Sequence, residues 1–146
     1  MTMAQFRLVI AQYFTIMMFF IASAAVFVVL FLTDFLIHGL LLKGQYEATA
    51  QLWRPEQDMK AYFPWMLAGQ AVIALAFTRL FAHGYQNKGI QEGICFGFMM
   101  SVFLAGHHFI MYSVAPWPLS LVWSWFGAGL VQSMILGAVA AKTYKK

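Results

Sequence analysis

Long apolar runs alternate with short polar segments along the chain, and the charged residues mark the divisions. From Leu8 to Leu42 the only formal charge is Asp34, from Ala61 to Phe81 it is Arg79, and from Gly93 to Ala141 there is none. An apolar helix needs roughly 20 residues to cross the hydrocarbon core of a bilayer. The last interval is about twice that length and is interrupted by "APWPL" at residues 115–119, so it divides into two spans joined by a tight turn. The pattern therefore predicts spans at about residues 9–32, 61–81, 93–114 and 119–140. Barrel strands would be shorter and would alternate in polarity, so helices are the better account. The expected fold is an all-α integral membrane protein, a single domain of four transmembrane helices in an antiparallel bundle.

The first run has the look of a secretion signal, with Arg7 ahead of it and "ASA" at residues 22–24. It continues as "AVFVVLFL" to Leu32, which reads as an uncleaved anchor. Beyond Asp34 it goes on as "FLIHGLLL", and a helix over residues 9–42 would be about 50 Å long. Such a helix must tilt, project or break near Gly39. Projection places Asp34 at the outer headgroup level, in water, with His38 one turn farther out on the same face.

Between the first two spans lies the outer loop, residues 43–60. A short helix over residues 46–54 would set Tyr46, Leu52 and Trp53 on the membrane interface before Pro55 ends it. A plain connector is the simplest reading of this loop, ahead of a lid or a partner surface. Pro64 suits the first turn of the second span, with Tyr62 and Trp65 in the outer aromatic belt. Gln70, Ala74 and Thr78 then repeat every fourth residue and should face protein. Trp117 can anchor the turn between the last two spans.

Two stripes of small residues carry the strongest packing signal. Gly89, Gly93, Gly97, Ser101 and Ala105 recur every fourth residue, as do Gly129, Ser133, Gly137 and Ala141. Small side chains let helix backbones approach closely in lipid, so the third and fourth spans should form a tight pair. On a helical wheel His108 and Tyr112 fall on the same face as the first stripe, whereas His107 is turned about 100° away from His108.

Composition agrees with lipid as solvent: 62% of residues are apolar, 10% are charged and the mean hydropathy is +0.73. The side with both termini and the middle loop holds Arg7, Arg79, Lys88, Lys142, Lys145 and Lys146, against Lys43, Arg54 and Lys60 on the other. That excess predicts both termini in the cytoplasm of a bacterial inner (plasma) membrane. The net charge of +4 is dispersed over one face, where it can meet lipid headgroups. It forms no basic groove interleaved with aromatics, so no nucleic-acid partner is expected. Cys95, the only cysteine, reads as a small apolar filler. Residues 79–97, "RLFAHGYQNKGIQEGICFG", resemble inner-loop segments of small bacterial four-span proteins; the resemblance covers that segment alone and carries no residue roles.

Polar side chains inside an apolar span are costly and point to function. Gln70, His108 and Tyr112 form the expected cluster, with His107 facing a different helix and His38 and Asp34 above. These residues can be hydrogen-bonding structural groups, ligands of a metal or haem, or parts of a proton, quinone or small-substrate pathway. No hydrolase, metalloprotease, P-loop or dinucleotide motif is present, and no catalytic residue is assigned. Two functions follow as expectations. One is a small membrane subunit that assembles with itself or with a larger inner-membrane complex, partnered by membrane lipids. The other is a small oligomeric transporter or a haem-, metal- or quinone-linked redox subunit, with cofactor and metal left open. A bundle without a cavity favours the first; convergence of Asp34, His38 and a third-span histidine on a cavity favours the second.

Overall fold

The computed structural model describes residues 2–145 and is all-helical among them. In chain order the elements are α1 (Met3–Asp34), a π-helix (Phe35–Leu41), α2 (Lys43–Ala48), a 3-10 turn (Ala50–Leu52), α3 (Glu56–Gly84), α4 (Ile90–Val114) and α5 (Leu119–Thr143). Four helices are long and apolar enough to cross a membrane, over Gln5–Leu41, Gln57–Gly84, Ile90–Val114 and Leu119–Thr143. In lipid a backbone must satisfy its own N–H and C=O groups, and a continuous helix does so locally. The hydroxyls follow suit: Thr33 donates to Val29 O at 2.7 Å and Ser101 to Phe98 O at 2.7 Å.

The first apolar run neither breaks at Gly39 nor stays α-helical. It widens into seven residues of π-helix, Phe35–Leu41, that contain His38. Wide turns of this kind recur at functional sites. The short loop helix lies earlier than residues 46–54, at Lys43–Ala48, because Leu42 already accepts from the amides of Gln45 and Tyr46. α3 likewise begins earlier than the sequence suggests. Pro55 occupies its N-cap, which leaves Pro64 inside the helix rather than in its first turn.

The closest packing is between α4 and α5. A Cβ built on Gly93 would lie 2.0 Å from Gly137 O, and one on Gly97 would lie 2.0 Å from Ser133 O. Glycine is required there because backbone meets backbone. Ser101 and Ala105 continue the buried face of α4, and Ser133, Gly137 and Ala141 that of α5. Two glycines lie apart from this seam. Gly89 is the N-cap of α4 with φ +77°, in the turn, and Gly129 borders a cleft. Cys95 is exposed on the outer surface of α4 and fills no gap.

α5 also packs on α1, and α1 on α3, through a core of Ala22, Val26 and Leu30 with Ala74, Phe77 and Leu136. α3 reaches α4 through aromatic rings at one end, where Phe77 and Phe81 meet Phe96 at 4.9 and 5.5 Å, and just past α3 Tyr85 meets Tyr144 at the end of α5 at 5.3 Å. That end is plugged. In the adjoining turn Glu92 accepts from the amides of Gln86 and Lys88 at 2.5 and 2.8 Å, which pins the α3–α4 link. Toward the opposite end a cleft separates α3 from α4.

Candidate functional site

Asp34 is the first element of the site. Gln70 of α3 donates through Nε2 to Asp34 Oδ2 at 2.6 Å, and Gln132 of α5 donates to Asp34 Oδ1 at 2.6 Å. Gln132 also donates to Thr33 Oγ1 at 2.8 Å. Each carboxylate oxygen thus has a short amide donor, as suits an ionised acceptor. The carboxylate joins three spans. The Asp34 side chain is still 26% exposed, so the two glutamines share the carboxylate with solvent. Gln70 is 5% exposed, and its Oε1 has no hydrogen-bond partner among the described residues.

His38 lies next to this clamp. Its Nε2 is 4.0 Å from Asp34 Oδ1, and its Nδ1 is 2.5 Å from the hydroxyl of Tyr46. Trp125 of α5 donates from Nε1 to the same hydroxyl at 2.8 Å. Indole nitrogen can only donate, so the Tyr46 oxygen accepts from Trp125 and its proton is free for His38 Nδ1. In the tautomer whose Nδ1 accepts that proton, the imidazole proton is on Nε2, the nitrogen on the side of Asp34. The result is a continuous polar line from Trp125 through Tyr46 and His38 to Asp34.

The loop over residues 43–60 folds back over this line as a roof. Gln45 donates to Ser124 Oγ at 2.9 Å, while Trp53 stacks on Trp117 at 6.3 Å and meets Trp125 edge-on at 6.1 Å. Trp117 and Trp125 are themselves 4.8 Å apart. Tyr46, Trp53 and Trp117 are therefore held by α5 and by one another, and Trp117 ties the turn between the last two spans to the loop, as its place in the sequence suggests.

Burial pushes the Tyr46 phenol above its ordinary pKa of 10.0; the bond from Trp125 opposes the rise and the Asp34 carboxylate adds to it. A raised folded-state pKa stabilises the roof in full below pH 10.0, and this stability is lost as pH climbs through the folded value. We expect tryptophan emission to report roof opening in that alkaline range, and Tyr46→Phe to remove that part of the profile. Identical profiles for the two proteins would rule out the phenol as the latch.

Beneath the roof is an open cleft of about 1200 Å³. Its floor is α5, including Gln132 and Ser133; its walls carry His38, Ile73 of α3 and Leu104 of α4. Both His107 and His108 line it. The cleft is wide enough to take two side chains that diverge by one residue's rotation, so His107 does not face a separate helix contact. His108 is half-buried beside Trp125 at 5.7 Å, and its Nδ1 has no hydrogen-bond partner among the described residues. From Met111 to Ser101 along α4 the cleft descends roughly 15 Å, to mid-span.

The structure brings together His38, His107 and His108, with Asp34 and Gln70 directly behind His38. Tyr112 does not join them: it is 39% exposed and borders no part of the cleft. Gln132 and Trp125 belong to the site although the sequence reading passes over them, and Tyr46 belongs to it although that reading names it only as an interface residue. Gln132 carried a usable signal, an amide within an uncharged apolar span, the same signal that marks Gln70. Among the described residues no three His, Cys, Asp or Glu side chains come together as a metal site. No protein-family model, no curated protein and no solved structure matches the chain.

Proposed function

We propose that the chain is a small-ligand-binding subunit of the bacterial inner membrane, an antiparallel four-helix bundle with both termini cytoplasmic, working as a homo-oligomer or beside other membrane subunits. One observation carries this reading: His38 from the first span and His107 and His108 from the third meet at one cleft, with Asp34 behind His38. Histidine exchanges protons near neutral pH. An imidazolium formed at His38 would lie 4.0 Å from a carboxylate already fixed by two amides. The site is thus built to bind a polar group and to exchange a proton with it.

A transporter is the second reading, favoured by the contrast between the two ends of the bundle. The cleft reaches mid-span from the loop side, while the Phe77, Phe81 and Phe96 contact closes the other side.

Gentle purification into nanodiscs followed by native mass spectrometry tests the proposal. The wild type is expected to retain a molecule other than bulk phospholipid, and His38→Ala and His108→Ala are each expected to retain at least about ten-fold less, a loss of roughly 1.4 kcal/mol in binding. His83→Ala, at the far end of α3, should retain it normally. Wild type that carries phospholipid alone and shows no histidine-dependent flux in liposomes would overturn both readings.

A further inference from the structure

We infer that the cleft takes a membrane-dissolved molecule with a flat, uncharged, hydrogen-bond-accepting ring head and an apolar tail, the chemistry of a quinone. This rests on the ligand-binding reading above and names its ligand class.

Charge is the first argument. The three formally charged lining residues, Lys43, Glu47 and Arg54, all come from the outer loop. Lys43 and Glu47 pair at 3.7 Å, and the Arg54 guanidinium lies 3.8 Å over the Tyr62 ring. Below them the described lining carries no formal charge unless a histidine takes up a proton, and Asp34 is engaged behind the wall. A head with a permanent charge would be desolvated there without a counter-ion.

Hydrogen bonding is the second. His107 and His108 stand side by side on α4 with ring centroids 6.4 Å apart, and His108 Nδ1 has no partner among the described residues. Neutral imidazoles at that position can donate to ring carbonyls and can accept from the corresponding hydroxyls. A quinone and its quinol offer those two patterns in turn. Trp125 and Phe126 of α5 supply apolar ring surface on the same lining.

The tail is the third. Ile73 of α3 and Leu104 of α4 both line the cleft at membrane depth, and the aromatic contact that joins these helices lies farther toward the plugged end. The gap between α3 and α4 therefore faces lipid sideways. A ligand that partitions into the bilayer can enter through it and leave its tail outside.

Tryptophan emission supplies the readout, since Trp53, Trp117 and Trp125 line the cleft; Trp65→Phe and Trp123→Phe together remove the other two from the background. In nanodiscs, decyl-tailed benzoquinone and naphthoquinone are expected to quench this emission saturably. Decyl phosphate and decyltrimethylammonium, with the same tail and a charged head, should not compete. His108→Leu should weaken quinone binding at least about ten-fold, and His107→Leu, at an exposed position where folding is not at stake, should weaken it measurably. Non-saturable quenching that is the same in both variants, with another retained molecule found by mass spectrometry, would discard the quinone class and leave the ligand site standing. The same quenching with no retained molecule would discard both.

Discussion

Gly97→Leu is expected to separate α4 from α5 and to cost about 3 kcal/mol or more, the upper range for overpacking a well-filled interior. Even alanine is too large, since its Cβ would lie 2.0 Å from Ser133 O and 2.8 Å from Met134 Cα. Those atoms are backbone, so they cannot rotate aside as a side-chain tip would; the helices themselves must move. Gly93→Leu should behave alike, because its Cβ would meet Gly137 O at 2.0 Å. Gly106 and Gly127 provide the contrast, as a Cβ at either meets no described atom within 4 Å. Gly106→Leu and Gly127→Leu should stay within about 0.5 kcal/mol of wild type. Reversible unfolding in mixed micelles measures all four. Equal costs at Gly97 and Gly106 would refute the seam.

Asp34→Leu is expected to be the most damaging change at the site, costing about 2–3 kcal/mol and abolishing ligand retention. It leaves the buried Gln70 amide without its acceptor and takes one of two acceptors from Gln132. An orphaned buried donor costs about 1–3 kcal/mol, and hydrogen bonds to charged groups lie at the strong end of the range. Asp34→Asn should be milder but still impaired, because its own NH2 then faces one of the glutamine NH2 groups. The double variant Asp34→Leu with Gln70→Leu should cost less than the two single changes added, since each removes the other's unmet partner. Strict additivity in unfolding titrations would show that the two side chains do not act together.

These two features differ in how far the sequence displays them. The seam is written locally: residues four apart on one helix share a face, so Gly93, Gly97 and Ser101 announce a contact without knowledge of the partner. The spans are legible for a similar reason, since the bilayer imposes length and composition on each helix separately. The Asp34 clamp is not local. Its donors stand 36 and 98 residues away, and which polar side chains meet depends on rotations that the apolar pattern does not encode. The roof was obscured by a different cause. Aromatic residues at span ends commonly sit at the headgroup level, and nothing near Tyr46 or Trp53 in the sequence tells that they turn back onto Trp125.

The glycine seam also decides where the molecule can give. Helices whose backbones touch at Gly93 on Gly137 and at Gly97 on Ser133 cannot slide past one another without driving a carbonyl into a chain, so α4 and α5 behave mechanically as a single stiff plate. The plate holds His107, His108 and Trp125 at fixed mutual distances. α3 is mounted differently, on α1 and on a cluster of aromatic rings at one end. Where the cleft widens between α3 and α4, α3 is the side free to give, and the Gln70–Asp34 bond is the tie that resists it.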